Sequence, residues 1–194
     1  MTTPRIAVVS AGLSQPSSTR LLADRLAAAT SKELPEPLVE FVELREYAHE
    51  LANNLVTGFP SGKLREVVDQ VTTADALIAV TPIFNASYSG LFKTFFDVLD
   101  KDALVGLPVL LGATGGSPRH SLALEHAVRP MFTYLRAVVV PTSVYAAAED
   151  WGGELDNRID RAAQELAALV VTSPARRPVD PYAEPTPFEQ LLSS

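Results

Sequence analysis

Side chains with hydroxyl groups crowd one short stretch near the start of the chain. Ser10, Ser14, Ser17, Ser18 and Thr19 lie between an apolar segment and a helical pattern. Hydroxyls and free backbone amides at a helix N-terminus bind an anion without Lys or Arg. A hydrogen bond to a charged oxygen contributes about 1.5–3 kcal/mol, against about 0.3–1 kcal/mol from the helix dipole. The stretch predicts a phosphate site at Ser17, Ser18 and Thr19, with an ordinary serine helix cap as the alternative.

The common nucleotide-binding motifs are missing from this stretch. The sequence has no G-x-x-x-x-G-K-[ST], and Gly12 is not followed by the two further glycines of G-x-G-x-x-G. No acidic cluster follows the first apolar run, as a phospho-accepting receiver domain would require. These absences disfavour ATP, GTP and a standard dinucleotide fold.

Two later stretches are also suited to ligand binding. A proline-led turn runs from Thr81 to Gly90 and carries Phe84 and Tyr88. Such a turn offers backbone amides to a flat heterocycle while aromatic side chains keep its edges dry. Residues 114–117, T-G-G-S, include two glycines that permit close approach of a ligand to the backbone. The alternatives are a strand-to-helix loop with inward-packed aromatics and a plain strand-exit turn.

The elements that must position these stretches follow from hydropathy. Five apolar runs alternate with helical patterns, which predicts a parallel sheet covered by helices on both faces. The first, third and fourth runs are almost continuously apolar, as in central strands, whereas the second alternates as in an edge strand. The runs are residues 6–11, 39–44, 76–81, 108–114 and 137–144.

Serines mark the starts of three predicted helices. Ser17 or Ser18, Ser61, and Ser87 or Ser89 each precede a helical apolar pattern. Two further helices are predicted over residues 122–135 and 159–171. The result is a three-layer α/β sandwich, in which ligands bind outside the carboxyl ends of the strands where the strand order reverses. Because the three candidate stretches follow the first, third and fourth strands, we expect them to form one site.

Composition excludes several classes of protein. The chain of 194 residues has a formal charge of −7 and no cysteine, so it has no thiol nucleophile, Fe–S cluster or Cys-ligated zinc. Redox chemistry would therefore need a bound cofactor. The acidic balance argues against nucleic-acid binding. No histidine has a partner at metal-ligand spacing, and the longest apolar segment, residues 103–113, is well short of the ~18 residues of a membrane helix. We expect a soluble, cytoplasmic protein without a metal site.

The C-terminal end differs from the rest of the chain. We assign residues 1–173 to one domain and residues 174–194 to a proline-rich tail. Thr186 and Glu189 form a capping-box pattern that predicts a short terminal helix. Its apolar face would be Phe188, Leu191 and Leu192. We expect the tail to dock on its own domain or on a neighbouring subunit, with a frayed tail as the alternative.

The second stretch closely resembles a known family. Residues 82–90, P-I-F-N-A-S-Y-S-G, are followed by Leu91 and Lys93 and resemble P-E-Y-N-G-S-Y-P-G-x-x-K of the NADPH-dependent FMN reductases. Residues 10–19 are similar to the phosphate loop of that family, and residues 114–117 to its third flavin-contacting loop. The departures from the pattern are Ile83 for an acidic residue, Phe84 for tyrosine, Ala86 for glycine and Ser89 for proline.

The resemblance implies a fold and a cofactor site. The implied fold is flavodoxin-like, with a five-stranded parallel sheet of order 2-1-3-4-5, and we expect the protein to bind FMN noncovalently as a homodimer or homotetramer. The phosphate would lie near residues 10–19, the isoalloxazine edge near the backbone of residues 82–87, and its pyrimidine end near residues 114–117. The implied FMN-binding residues are Ser10, Leu13, Ser17, Ser18, Thr19, Pro82, Ile83, Phe84, Asn85, Ala86, Ser87, Thr114, Gly115, Gly116 and Ser117.

The implied activity is hydride transfer from NADPH or NADH to FMN, which needs no side chain as a general base. The opening of the chain and its tail look like an actinobacterial branch of FMN reductases, which implies supply of reduced flavin to a luciferase-like monooxygenase. Many relatives have an arginine near Ser14 or Gln15 that meets the 2′-phosphate of NADPH, so the nucleotide preference stays open. The alternatives are a quinone or azo reductase that keeps its FMN, a flavodoxin-like electron carrier, and a phosphate-binding domain without redox function.

Overall fold

Three apolar runs are almost completely buried, and this burial places them at the centre of a sheet. The computed structural model describes residues 3–173. The strands are β1 Arg5–Ser10, β2 Leu38–Glu43, β3 Ala76–Phe84, β4 Ser87–Tyr88, β5 Pro108–Gly115, β6 Val138–Val139 and β7 Val144–Ala147. The helices are α1 Ser18–Glu33, α2 Ala48–Thr57, α3 Lys63–Thr72, α4 Gly90–Asp97, α5 Arg129–Tyr134 and α6 Gly153–Thr172. The predicted tail, residues 174–194, lies outside the described residues, so the domain boundary stays a prediction.

The strand order is β2-β1-β3-β5-β6, and all of these neighbours are parallel. β7 continues along β5 beyond β6. β1, β3 and β5 are central and buried, while β2 forms an edge with Leu38 and Phe41 exposed. With β6 and β7 taken as one interrupted strand, this is the 2-1-3-4-5 order of the flavodoxin-like fold. The predicted fold class is confirmed.

Alternate residues of the central strands face two separate cores, because side chains along a strand point to opposite faces of the sheet. Ile6 and Val8 pack with residues of α1 and α6, including Leu22 and Ile159. Ala7 and Val9 belong to the opposite core, whose helical members are Leu51 of α2, Leu64 of α3 and Phe92 of α4. The sheet therefore has helices on both faces, as the sequence predicted.

The prediction of five strands undercounts a sheet of seven. β3 extends beyond residue 81 and turns back on β4 as a short antiparallel hairpin. The predicted fifth strand, residues 137–144, is interrupted between β6 and β7. From the pair Val109–Val139 to the pair Gly112–Val144, β5 advances by three residues (112 − 109) and the outer strand by five (144 − 139). Pro141 lies in this bulge, where a residue without a backbone N–H is tolerated.

Two of the predicted helix starts are confirmed and one is wrong. The side chain of Ser17 accepts a hydrogen bond from Arg20 N at the start of α1, and that of Ser89 accepts from Phe92 N at the start of α4. Ser61 does not cap α3, because Gly62 holds the cap position with φ of 47°.

The other helices also differ from the prediction. α2 was not predicted, α6 begins at Gly153 rather than residue 159, and the predicted helix 122–135 consists of a π-helical turn, Leu124–Val128, followed by α5. Across residues 3–173, the structure contains no helix with the length and apolar character needed to span a membrane.

Candidate functional site

The three candidate stretches lie side by side at the carboxyl ends of adjacent strands. The register pairs Ser10 with Val80, Val80 with Gly112, and Pro82 with Thr114. Residues 11–17, 82–87 and 115–117 therefore leave the sheet at the same edge, and we call them loop one, loop two and loop three. The predicted convergence of the three stretches is confirmed as geometry.

Loop one is closely packed at its start. Ala11 N donates a hydrogen bond to Val80 O over 2.9 Å, which extends the pairing of β1 with β3 into the loop. A Cβ on Gly12 would collide with Oγ of Ser17 and lie tightly against Cβ of Ser17 and Cβ of Thr19, so the loop passes close to the first turn of α1. Leu13 and Ser18 are exposed, whereas Thr19 is buried. Loop one is thus a tight backbone turn with Ser17 and Ser18 at its open end.

Ser10 carries an unsatisfied hydroxyl at the floor of this loop. The residue is 1% exposed, and its Oγ finds no hydrogen-bond partner among the residues that the structure describes. Buried polar groups are almost always hydrogen-bonded, because an unmade bond costs about 1–3 kcal/mol. A bound anionic oxygen would satisfy this hydroxyl, and the N-terminus of α1 lies in the same loop. The residues present therefore fit a phosphate group.

A buried pair of hydroxyls ties α1 to the end of β5. Oγ1 of Thr19 and Oγ1 of Thr114 lie 2.8 Å apart, and the two residues are 2% and 4% exposed. Each hydroxyl both donates and accepts, so one of the two keeps its own proton for a further acceptor. Thr19 and Thr114 are both predicted as FMN contacts, but in the structure their hydroxyls hydrogen-bond to each other and join α1 to β5.

The cations beside loop one are already neutralised. A cleft of about 460 Å³ next to Ser14, Gln15 and Ser17 is lined by Arg20 and Arg45 together with Asp24, Glu43 and Glu46. Arg20 binds Asp24 at 2.8 Å and Glu43 at 2.6 Å, and Arg45 lies 3.6 Å from Glu43. Burial lowers the pKa of Arg20, but the hydrogen bonds with Glu43 and Asp24 outweigh it and raise the pKa. The hydroxyls and amides of loop one remain as donors, and the buried Nε of Arg45 beside them has no hydrogen-bond partner among the described residues.

Loop two is the turn of a hairpin. Ile83 pairs with Tyr88 and Phe84 with Ser87, and the turn residues Asn85 and Ala86 have φ of 48° and 65°. Two consecutive residues with positive φ are typical of a type I′ hairpin turn. The sequence predicts a proline-led loop here, and the extension of β3 through Pro82 into this hairpin is the feature it missed.

The side chains of loop two divide into an outer and an inner set. Phe84 is 47% exposed, while Pro82 and Ile83 are buried. Tyr88 packs inward on Phe92, with ring centroids 6.1 Å apart. Ile83 therefore faces the core and offers a ligand only its backbone, whereas Phe84 presents a ring at the surface of the site.

Loop three is held by a residue that the sequence analysis did not select. The hydroxyl of Tyr145 on β7 donates to Ser117 O over 2.8 Å. A Cβ on Gly115 would overlap that hydroxyl, whereas a Cβ on Gly116 would meet open space. Ser117 Oγ accepts from Arg119 N at 3.3 Å and keeps its proton for another acceptor. No local motif marks Tyr145, because its position depends on the bulge before β7.

A parallel sheet of order 2-1-3-4-5 with three uncharged loops at its switch point defines a flavodoxin-like α/β fold. The profile of the NADPH-dependent FMN reductases matches residues 4–152, and the chain belongs to this family. The family expected from residues 82–93 is thereby confirmed.

Individual relatives agree with the family assignment. The chain is 37% identical to the FMN reductase (NADPH) of Pseudomonas aeruginosa over 176 residues, which are 87% of this chain and 94% of that protein. It is 39% identical to the NADH-dependent FMN reductase SfnE of Pseudomonas putida over 176 residues, 88% and 89% of the two chains. A crystallised oxidoreductase from Corynebacterium diphtheriae matches with a TM-score of 0.85 and 48% identity, covering 89% of this chain and 99% of that chain.

Proposed function

We propose that this protein is an NAD(P)H-dependent FMN reductase. The observation that carries the proposal is the position of the three loops at one edge of the sheet, with the unsatisfied hydroxyl of Ser10 at the base of loop one, in a chain that belongs to the FMN reductase family. Relatives at 37% and 39% identity are named as FMN reductases and cover most of both chains. When bound, FMN supplies the two-electron chemistry, because its ring accepts hydride from a nicotinamide nucleotide.

The residues of the site have distinct roles under this proposal. Ser10, Ser17 and Ser18 bind the phosphate of FMN together with the free amides at the start of α1. The backbone of loop two lies along one edge of the flavin ring, with Phe84 beside it. Gly116 and Ser117 of loop three face the other end of the ring, where the open space at Gly116 permits close approach of the backbone. Leu13, Asn85, Ala86 and Ser87 complete the proposed contacts.

The composition of the loops supports a role limited to binding and orientation. Loops one, two and three contain hydroxyl, amide, aromatic and aliphatic side chains and no carboxylate, imidazole, ammonium or guanidinium group. Hydride transfer between two bound cofactors requires their alignment and not a protein acid or base. The loops provide the surfaces for such an alignment.

The finer predictions go beyond the reduction of FMN. Delivery of reduced flavin to a luciferase-like monooxygenase, assembly as a homodimer or homotetramer, and a cytoplasmic location stay predictions from the sequence. The choice between NADPH and NADH also belongs here, since named relatives include both kinds of enzyme. The neutralised arginines beside loop one leave no cation there that is free of a carboxylate, which favours NADH at the cleft of Ser14 and Gln15.

The decisive experiment measures oxidation of NADPH and of NADH by the purified protein, with and without added FMN. We expect turnover that depends on FMN and is weaker with riboflavin, which has the same ring but no phosphate. Turnover with a tightly bound flavin and a quinone, but not with free FMN, would indicate the quinone or azo reductase. A bound flavin that neither nucleotide reduces would indicate the electron carrier, and a protein that binds no flavin would refute the proposal.

A further inference from the structure

Tyr145 and Gly115 form a close contact at the edge of the flavin site. The Tyr145 hydroxyl donates to the Ser117 carbonyl over 2.8 Å and occupies the space where a side chain at position 115 would begin. The contact therefore restrains loop three at two points, its first glycine and its last carbonyl.

The interruption of the fifth strand is what brings Tyr145 to this position. With the register of β6, where Val139 pairs with Val109, Tyr145 would pair with Gly115 (145 − 30). The bulge shifts the outer strand by two residues, so that Tyr145 pairs with Ala113 instead. Ala113 and Gly115 are two residues apart, so they share one face of the sheet. The ring of Tyr145 therefore lies next to the position before Gly115 on that face, and its hydroxyl extends to loop three.

A set of polar side chains fixes the bulge. Arg129 donates to the carbonyls of Val140 and Pro141 over 3.0 Å each and to Ser143 Oγ over 2.7 Å. The Glu165 carboxylate accepts from Thr142 N at 2.7 Å and from the Thr142 hydroxyl at 2.8 Å. The shifted register is thus held by specific bonds from two helices.

We propose that Tyr145 is the positioning residue of the flavin site, holding loop three in the conformation that receives the ring. This inference rests on the proposed function, because it assumes that loop three contacts the flavin. Burial of the phenol, together with the nearby carboxylate of Asp150, raises the pKa of Tyr145, so the hydroxyl keeps the proton that it donates.

The first test compares Tyr145→Phe with the control Tyr134→Phe. In the wild type, the hydroxyl of Tyr134 is exposed and makes no hydrogen bond to any described residue. We expect Tyr145→Phe to raise the dissociation constant of FMN, measured by quenching of flavin fluorescence, about three- to tenfold, the range of one net hydrogen bond. The KM for FMN should rise with it while kcat stays within about twofold. Tyr134→Phe should change none of these values. Equal FMN binding by wild type and Tyr145→Phe would overturn the inference.

The second test is a double-mutant cycle with Gly115→Ala. In the wild-type background the new Cβ collides with the hydroxyl, and we expect FMN binding to weaken at least tenfold. Without the hydroxyl, the nearest atom is Cζ at 3.2 Å, a tight contact that a shift of a few tenths of an ångström relieves. The double variant Gly115→Ala with Tyr145→Phe should therefore bind FMN more tightly than Gly115→Ala alone. If the two substitutions acted independently, their separate losses of affinity would add and the double variant would bind more weakly. If the losses of FMN affinity in the two single variants simply add in the double variant, the result would contradict a contact between the Tyr145 hydroxyl and position 115.

Hydrogen exchange separates this inference from the proposed function. In the ligand-free protein, Tyr145→Phe should accelerate amide exchange in peptides that span residues 114–121, and Tyr134→Phe should not. A wild type that binds no FMN would refute the proposed function whatever the exchange data show. Normal FMN binding by the wild type, with unchanged exchange and affinity in Tyr145→Phe, would refute the positioning role alone.

Discussion

The buried hydroxyl of Ser10 is suited to binding a ligand and not to stabilising the fold. Its Oγ lies in the protein interior without a partner among residues 3–173, so it does not stabilise the described fold by hydrogen bonding. A group that folding leaves unsatisfied becomes useful when a ligand supplies the missing acceptor. Stability and FMN affinity should therefore respond to its removal in different ways.

Ser10→Ala should leave the thermal midpoint unchanged or raise it slightly, because the substitution removes an unsatisfied polar group and keeps the volume nearly constant. It should weaken FMN binding about tenfold or more, since a hydrogen bond to a charged oxygen contributes about 1.5–3 kcal/mol. Thermal unfolding and fluorescence titration measure the two effects on the same sample.

Ser31→Ala is the matched control for this variant. Ser31 is in the C-terminal half of α1, where its hydroxyl donates to Ala27 O over 2.8 Å. It should change stability little, because the higher helix propensity of Ala offsets the lost side-chain hydrogen bond, and it should leave FMN affinity at the wild-type value. Loss of stability in Ser10→Ala without loss of affinity would assign Ser10 to the fold and contradict the phosphate role.

At the level of single residues, the sequence located the loops better than it assigned their side chains. Ser17 and Ser18 stand where the motif placed them, because a helix cap is a local feature. Ile83 turns into the core and Thr19 bonds to Thr114, since hairpin pairing and contacts distant in sequence decide those orientations. The sequence did not indicate a role for Tyr145, because a bulge in the strand and not a local motif sets its position.

At the level of elements, the sequence again predicted the features that local patterns set and missed those that depend on contacts distant in sequence. Long apolar runs predict central strands reliably because burial on both faces leaves no other place for them. α2 escaped notice because Asn53 and Asn54 interrupt a short helical pattern, and Asn54 is nevertheless buried. The break in the fifth strand depends on Arg129 and Glu165, which lie on helices adjacent to it in space.

Glu165 gives the bulge a dependence on pH. Burial would raise the pKa of this carboxyl, but hydrogen bonds from the Thr142 amide and hydroxyl and from Arg161 outweigh burial and lower the pKa below its ordinary value of 4.5. A carboxyl with a lowered folded-state pKa contributes stability that is complete above the ordinary value. That contribution is lost as the pH falls through the folded-state pKa.

Glu165→Gln should therefore destabilise the protein at neutral pH by about 1–2 kcal/mol, because a charged acceptor of several hydrogen bonds is lost. The difference from the wild type should narrow as the pH falls below 4.5, where the carboxyl of the unfolded chain takes up a proton, and should be smallest below the lowered folded-state pKa. Urea unfolding at a series of pH values measures this convergence. Asp160→Asn on the exposed side of α6 serves as the control, and a pH-independent difference for Glu165→Gln would contradict the argument.

At the level of the whole molecule, the fold is built around two hydrophobic cores, one on each face of the sheet. The cores draw on helices α1 to α6 and on the central strands, while the three loops contribute only Ala11 and Ile83. The three loops of the candidate site therefore contribute few side chains to either core. Loop variants should change ligand binding more than they change global stability.

The tail of residues 174–194 carries the last prediction, which concerns assembly. Outside the described residues, the sequence pattern places Phe188, Leu191 and Leu192 on one face of a terminal helix. If that face docks on a domain, Leu191→Asp with Leu192→Asp in the full-length chain should reduce the molar mass in light scattering or lower the thermal midpoint. Ser193→Asp with Ser194→Asp adds the same charge to the same segment and should change neither value. A double-leucine variant with the mass and midpoint of the wild type would show that the tail has no docking role, since burial of two leucines contributes about 3–6 kcal/mol.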